Sequence, residues 1–178
     1  MATDKFKELI LYIAQESEGD PNFGATKLNK ILFFCDFLAY RAFGESISGQ
    51  RYFKLPYGPA PRALVPALRE LEEANDCIQA ERAGYGQPQK RVIVRREANV
   101  EVFSASQVAL INKVIRTLWD NSAREVSHLS HHFIGWRMAG PQEDIPYETV
   151  FLGDPERFTP SEEELDHGEQ LAREIGVA

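Results

Sequence analysis

The chain has 178 residues, 43% of them hydrophobic, and a formal net charge of −7 at pH 7. That length accommodates one substantial core, so a single domain is expected, and no apolar run approaches the ~20 residues of a membrane-spanning helix. The acidity is uneven: eight acidic and two basic residues between positions 154 and 178 give that segment −6 and leave residues 1–153 at −1.

A near-neutral domain, residues 1–153, and an acidic helical segment, residues 154–178, packed on it or trailing it, are therefore expected, the acidic run reading as a solvated face. Met1-Ala2-Thr3-Asp4-Lys5 lacks the charged-then-apolar layout of a signal peptide, so a cytoplasmic protein is expected. Cys35 and Cys77 have neither the number nor the spacing of a disulfide framework or a zinc site and read as free, buried thiols.

In chain order, Phe6, Leu9, Ile10 and Ile13 share one face of a helix predicted over residues 4–16, which the sequence Glu18-Gly19-Asp20-Pro21-Asn22 breaks. The next helix is the one the chain is organised around. Thr26 is its expected N-cap and Gly44 its stop. Leu28, Ile31, Leu32, Cys35, Leu38, Ala39 and Ala42 form one broad face, with Lys27, Asn29, Lys30, Asp36 and Arg41 off it. Phe33, Phe34 and Phe37 widen the apolar surface, so this helix should be enclosed on several sides.

Residues 51–55 read as extended and lead into Pro56-Tyr57-Gly58-Pro59, a turn made rigid by two prolines and permitted by Gly58. A helix over residues 62–75 carries Leu64, Val65, Leu68 and Leu71; Pro66 either marks its opening near Ala63 or kinks its first turn. Residues 77–82 and 90–96 flank Gly84-Tyr85-Gly86-Gln87-Pro88 as a hairpin with a five-residue loop.

Ser104 with Gln107 and Ser122 with Glu125 fit capping boxes that open two further helices. Val108, Ile111, Ile115 and Leu118 supply the stripe of the first, Val126 and Leu129 that of the second. Residues 140–146 are a loop, residues 147–152 read as short and extended, and Ser161-x-x-Glu164 opens a final helix through Leu165, Leu171 and Ile175. The fold class is α+β, mainly α-helical, around a central buried helix with one β-hairpin in a winged-helix-like order.

Candidate chemistry is sparse. His128, His131 and His132 share a helical face with Glu125, but a metal would need a further ligand from elsewhere in the fold, and histidines near a helix C-terminus are favoured by its dipole. No metal or other cofactor is expected. Cys35 points into the core with no histidine beside it in sequence, and Gly84-Tyr85-Gly86 joins two strands instead of opening a helix, so neither a thiol nucleophile nor a phosphate loop is read. With no coherent catalytic constellation, the protein is expected not to be an enzyme.

Two binding surfaces remain. The helix at 62–75 and a hairpin bearing Arg82, Lys90, Arg91, Arg95 and Arg96 have the element order of a winged helix, and those cations could touch phosphates. Glu70, Glu72, Glu73 and Asp76 lie beside them, so weak DNA binding is expected. Tyr52, Phe53 and Tyr57, together with His131 and Trp136, place aromatics beside proline or glycine turns and form a candidate partner-binding surface. Tyr57, His131 and Trp136 could equally pack together to close the core.

The block Lys27-Leu28-Asn29-Lys30-Ile31-Leu32-Phe33-Phe34, then Tyr57-Gly58-Pro59 with Leu64-x-x-x-Leu68, resembles the Panacea domain, the SocA-like antitoxin family of bacteria and phages. Val126-Ser127-His128-Leu129-Ser130-His131, Trp136 and Ile145-Pro146-Tyr147-Glu148-Thr149-Val150-Phe151 are similar to that family's closing region. Between His131 and Trp136 this chain has His132-Phe133-Ile134-Gly135, where the family often carries a carboxylate or proline. The resemblance implies an antitoxin that neutralises a neighbour-encoded toxin by direct protein–protein binding. A DNA-binding regulator of winged-helix type, or a phage-related adaptor, is the alternative.

Overall fold

The computed structural model describes residues 4–82 and 88–152; the acidic segment with its predicted last helix, and all but Pro88 of the loop at 84–88, lie outside the described residues. The chain runs α1 (Lys5–Glu16), α2 (Ala25–Phe43), β1 (Tyr52–Leu55), β2 (Gly58–Pro61), α3 (Leu64–Glu73), β3 (Cys77–Arg82), β4 (Gln89–Val94), α4 (Ala105–Leu118), α5 (Ala123–His131) and α6 (Ile134–Met138). Short 3-10 helices occupy Val100–Val102 and Tyr147–Leu152. The architecture is α+β and mainly helical, and α3 followed by β3–β4 keeps the winged-helix element order.

α2 is the centre. Residues 30–39 are buried without a break, because α1, α4, α5, β2 and the 3-10 helix Tyr147–Leu152 all pack against it. Its C-terminal turn surfaces, leaving Ala42 and Phe43 exposed before Gly44 closes the helix in the left-handed conformation at φ 79°. The start lies earlier than expected: Gly24 is the N-cap and Thr26 stands within the first turn. The turn before it, closed by the Asn22 N–H donating to Asp20 Oδ1 at 2.8 Å, ends sooner than the residue types suggested.

Unlike the Thr26 cap, two capping boxes and the opening of α3 are realised as read. Ser104 and Gln107 exchange both capping bonds at 3.2 Å, and Ser122 and Glu125 do so at 3.3 and 2.7 Å. α3 opens at Leu64 with Pro66 in its first turn, where the absent N–H costs no helical bond.

The expectation of a single hairpin is corrected, since β1 and β2 form a second antiparallel pair, Tyr52 facing Pro61 and Leu55 facing Gly58. The sequence Gly58-Pro59-Ala60-Pro61 has little intrinsic preference for a strand; burial of all four residues supplies the reason for the pairing. Residues 142–145 line the outer edge of β1, with the Lys54 N–H donating to Glu143 O at 2.9 Å and the Ile145 N–H to Tyr52 O at 2.8 Å. Residues 147–152 are likewise a 3-10 helix and not extended, held down by buried Val150 and by Tyr147 stacking against Tyr40.

Candidate functional site

Three polar residues of α2 that the helical pattern places off the apolar face are in fact enclosed: Lys27, Lys30 and Asp36, at 0%, 3% and 0% exposure. A buried charge is costly unless it is bonded, so each needs a partner. Lys27 is ion-paired with buried Asp20 and donates to the carbonyls of Trp119 at 2.6 Å and Asn121 at 2.9 Å, which fastens the α4–α5 connection to the start of α2. Asp36 accepts from the Ser48 N–H at 2.7 Å, from the Ser48 hydroxyl and from the Tyr52 hydroxyl at 2.6 Å, fixing the α2–β1 connection. Burial pushes its carboxyl above the usual range despite those bonds.

Lys30 donates to Pro59 O at 3.1 Å, and burial pulls its ammonium down to about 8. Directly above it Gly58 has φ 106°, and a Cβ there would stand 2.3 Å from Ser130 Oγ and 2.7 Å from Lys30 Cε. Only glycine lets β2 settle this closely on α2 and α5. The consequence is geometric: the two-residue tip Pro56-Tyr57 projects from a base held on three sides, and the Tyr57 ring is 77% exposed.

Beside that ring runs a groove of about 1050 Å³ along one face of α5, lined by Thr26, Tyr57, Asn121, Arg124, His128 and His132 among others. His131 also lines it, its ring stacked on Trp136 with centroids 4.1 Å apart and planes 11° from parallel. Trp136 donates its indole N–H to Leu55 O at 3.1 Å, and the Lys54 ammonium lies 4.5 Å from the ring centroid on α6. Burial, with Lys30 next, lowers the His131 pKa, and His131 Nε2 is buried without a hydrogen-bond partner among the described residues. His128 and His132 meet edge to face at 5.0 Å. Among the described residues, no group of three or more His, Cys, Asp or Glu is placed to hold a metal.

The residues expected at a partner surface thus separate. Tyr57 and His131 line one groove, and Trp136 supports it from behind. Phe53 lies elsewhere, half-buried beneath the Arg62 guanidinium at 4.4 Å. Tyr52 is corrected to a core residue: at 1% exposure, bonded to Asp36 and edge-on to Phe33, it presents nothing to a partner.

The hairpin cations separate too. Arg91 is buried against Phe23 and donates to Glu18 O at 3.0 Å, so it is not a phosphate contact. Arg96 spans Glu8 at 2.7 Å and Asp76 at 3.0 Å, and Arg95 donates to Asn75 Oδ1 at 2.5 Å. Arg82 and Lys90 are the exposed pair at the far end of β3–β4.

The buried lysines and Asp36 were missed as positioning residues, although a helix expected to be enclosed on several sides leaves its polar residues nowhere to go but inside. Lys30 and Asp36 also fall where a family model aligns: it matches residues 28–137, from within α2 into α6. The chain belongs to the antitoxin SocA-like, Panacea domain family. The Panacea match takes in α2 from Leu28 onward, both hairpins, the α5 groove face and Trp136, and ends before the similar block at 145–151. Membership supports an antitoxin role. No curated protein and no solved structure gives a significant match. Among the described residues, no helix of this Panacea protein is long and apolar enough to cross a membrane.

Proposed function

We propose that this protein is a non-enzymatic antitoxin that neutralises a neighbour-encoded toxin by binding it directly across the Tyr57–α5 groove. The observation that carries the reading is the 77% exposure of the Tyr57 ring on a hairpin whose base is buried. An aromatic held on a rigid support loses little freedom when a partner covers it, which is the property of an interface anchor.

Calorimetric titration with the toxin and parallel melting curves test the site. Tyr57→Ala weakens binding by roughly 2 kcal/mol at unchanged melting temperature. Trp136→Ala, which removes the stacking partner of His131, lowers the melting temperature instead. Wild-type affinity in Tyr57→Ala would move the interface elsewhere. Co-expression addresses the role itself: if no adjacent gene is toxic alone and harmless beside this protein, the antitoxin reading is wrong.

A further inference from the structure

Three of the chain's four histidines stand on α5 or at its end, and they are not equivalent. His131 is taken up by its stack on Trp136, with Nε2 buried. His128 and His132 are exposed, both line the groove beside Tyr57, and their rings meet each other. A separation of four residues brings them onto one helical face, which is the spacing at which two imidazoles can share an ion.

The distance between the rings fits that use. With a zinc–nitrogen bond of about 2.0–2.1 Å and ~1.1 Å from nitrogen to ring centre, a tetrahedral ion holds two imidazole centroids about 5.2 Å apart. The His128 and His132 centroids are 5.0 Å apart. Turning a ring about its Cβ–Cγ bond barely moves its centroid and selects which nitrogen faces the ion, and that torsion is a soft one. Arg124, one turn before His128, is the charge that opposes a cation; Glu125 lies beside it, kept ionised by its bonds to Ser122. No third His, Cys, Asp or Glu is grouped with the pair among the described residues. Two positions of a tetrahedral ion would therefore stay open on the groove side, where Tyr57 stands.

We propose that His128 and His132 bind one divalent transition ion of the zinc class through a ring nitrogen each, and that its open positions take nitrogen, sulfur or carboxylate ligands from the partner docked against Tyr57. Imidazole suits zinc, copper and nickel, whereas magnesium and calcium prefer oxygen ligands. Ion binding is a claim about this chain alone; completion of the shell by a toxin rests on the antitoxin reading above.

The test is calorimetric titration of the full chain, free of any affinity tag, with zinc chloride, repeated on His128→Gln, His132→Gln and His167→Gln. Cys35 and Cys77 are buried and do not compete. The expected result is one ion per chain, with affinity at least about ten-fold weaker in either of the first two variants, since each removes one arm of a chelate. His167, the fourth histidine, lies outside the described residues, and its variant should bind as the wild type does. Both groove histidines are exposed, so unchanged melting curves are expected of their variants. Equal binding by all four proteins means an adventitious ion only and overturns the proposal. Loss of binding in His167→Gln, or no binding at millimolar zinc, overturns it too. With the toxin in hand, affinity that falls several-fold on adding EDTA to the wild type, but not to His128→Gln, supports completion by the partner. Toxin affinity indifferent to EDTA overturns that step and leaves the ion site. Should no toxin exist, the completion step falls with the antitoxin reading, and the zinc titration, which needs no toxin, stands.

Discussion

Hairpins β1–β2 and β3–β4 are both two-stranded and antiparallel, yet the first is held by burial on several sides and the second largely by bonds at its base. An isolated two-stranded hairpin is marginal in water, so each needs support from outside. β1–β2 finds it in α2, α5 and residues 142–145, with all four residues of β2 buried. β3–β4 buries Cys77, Arg91 and Val92, leaves Ile93 exposed, and is clamped where Arg96 bridges Glu8 of α1 and Asp76. The difference bears on function, because the packed hairpin aims an aromatic outward while the bonded one buries Arg91 and commits Arg95 and Arg96 to partners within the chain.

Gly58→Ala is the sharpest way to break the packed hairpin. A side chain at φ 106°, 2.3 Å from Ser130 Oγ, forces β2 off α5, and a loss of roughly 3 kcal/mol is expected in denaturant titration. Toxin affinity should fall with it, since Tyr57 loses its base.

The pH dependence separates the two supports. The unfolded chain keeps the Lys30 proton up to 10.5, the folded chain only to about 8. Between those values folding releases a proton, so stability from this residue rises with pH, by on the order of 2–3 kcal/mol across the window. Lys30→Met should remove that rise, read as the difference between the two proteins' denaturation midpoints at about pH 7 and about pH 10.

At the bonded hairpin stability again rises with pH, but in the acid range and because folding favours the charged form instead of penalising it. Burial opposes ionisation of Glu8, but the bonds from Arg96 and from the Asn99 N–H prevail and hold its carboxyl below the usual 4.5. Its contribution is complete above that value and is lost as pH falls through the lower folded value. Glu8→Gln should cost about 2 kcal/mol at neutral pH and flatten the acid limb of the stability profile.

The smallest effect belongs to the exposed end of β3–β4. Arg82→Ala with Lys90→Ala should change stability by less than about 0.5 kcal/mol. It should also leave a promoter-fragment mobility shift as weak as the wild type's. A wild-type shift at nanomolar protein with steep salt dependence, abolished in the double variant, would restore the wing as a nucleic-acid surface.

What was legible in advance follows from how far each signal reaches along the chain. Both capping boxes, the Gly44 stop and the choice at Pro66 involve partners within four residues, and all are realised. The apolar pattern of α2 also identified the central helix, because a run so rich in Phe and Leu has no solvent face to offer. The pairing of Gly58-Pro59-Ala60-Pro61 with β1 was not legible, nor was the burial of Tyr52 and Arg91, since each depends on what packs over them.

The candidate site divides the same way. Sequence by itself determined that Tyr57 stands in a proline-bounded turn, that α5 starts at Ser122, and that its histidines share a face. Tertiary structure alone decided that Tyr57 projects into solvent while Tyr52 does not, and that Lys27, Lys30 and Asp36 each fasten a different connection to α2. The reason is physical: caps and turns are set by neighbours in sequence, whereas the burial of a charge is tolerated only where distant carbonyls and hydroxyls arrive to bond it.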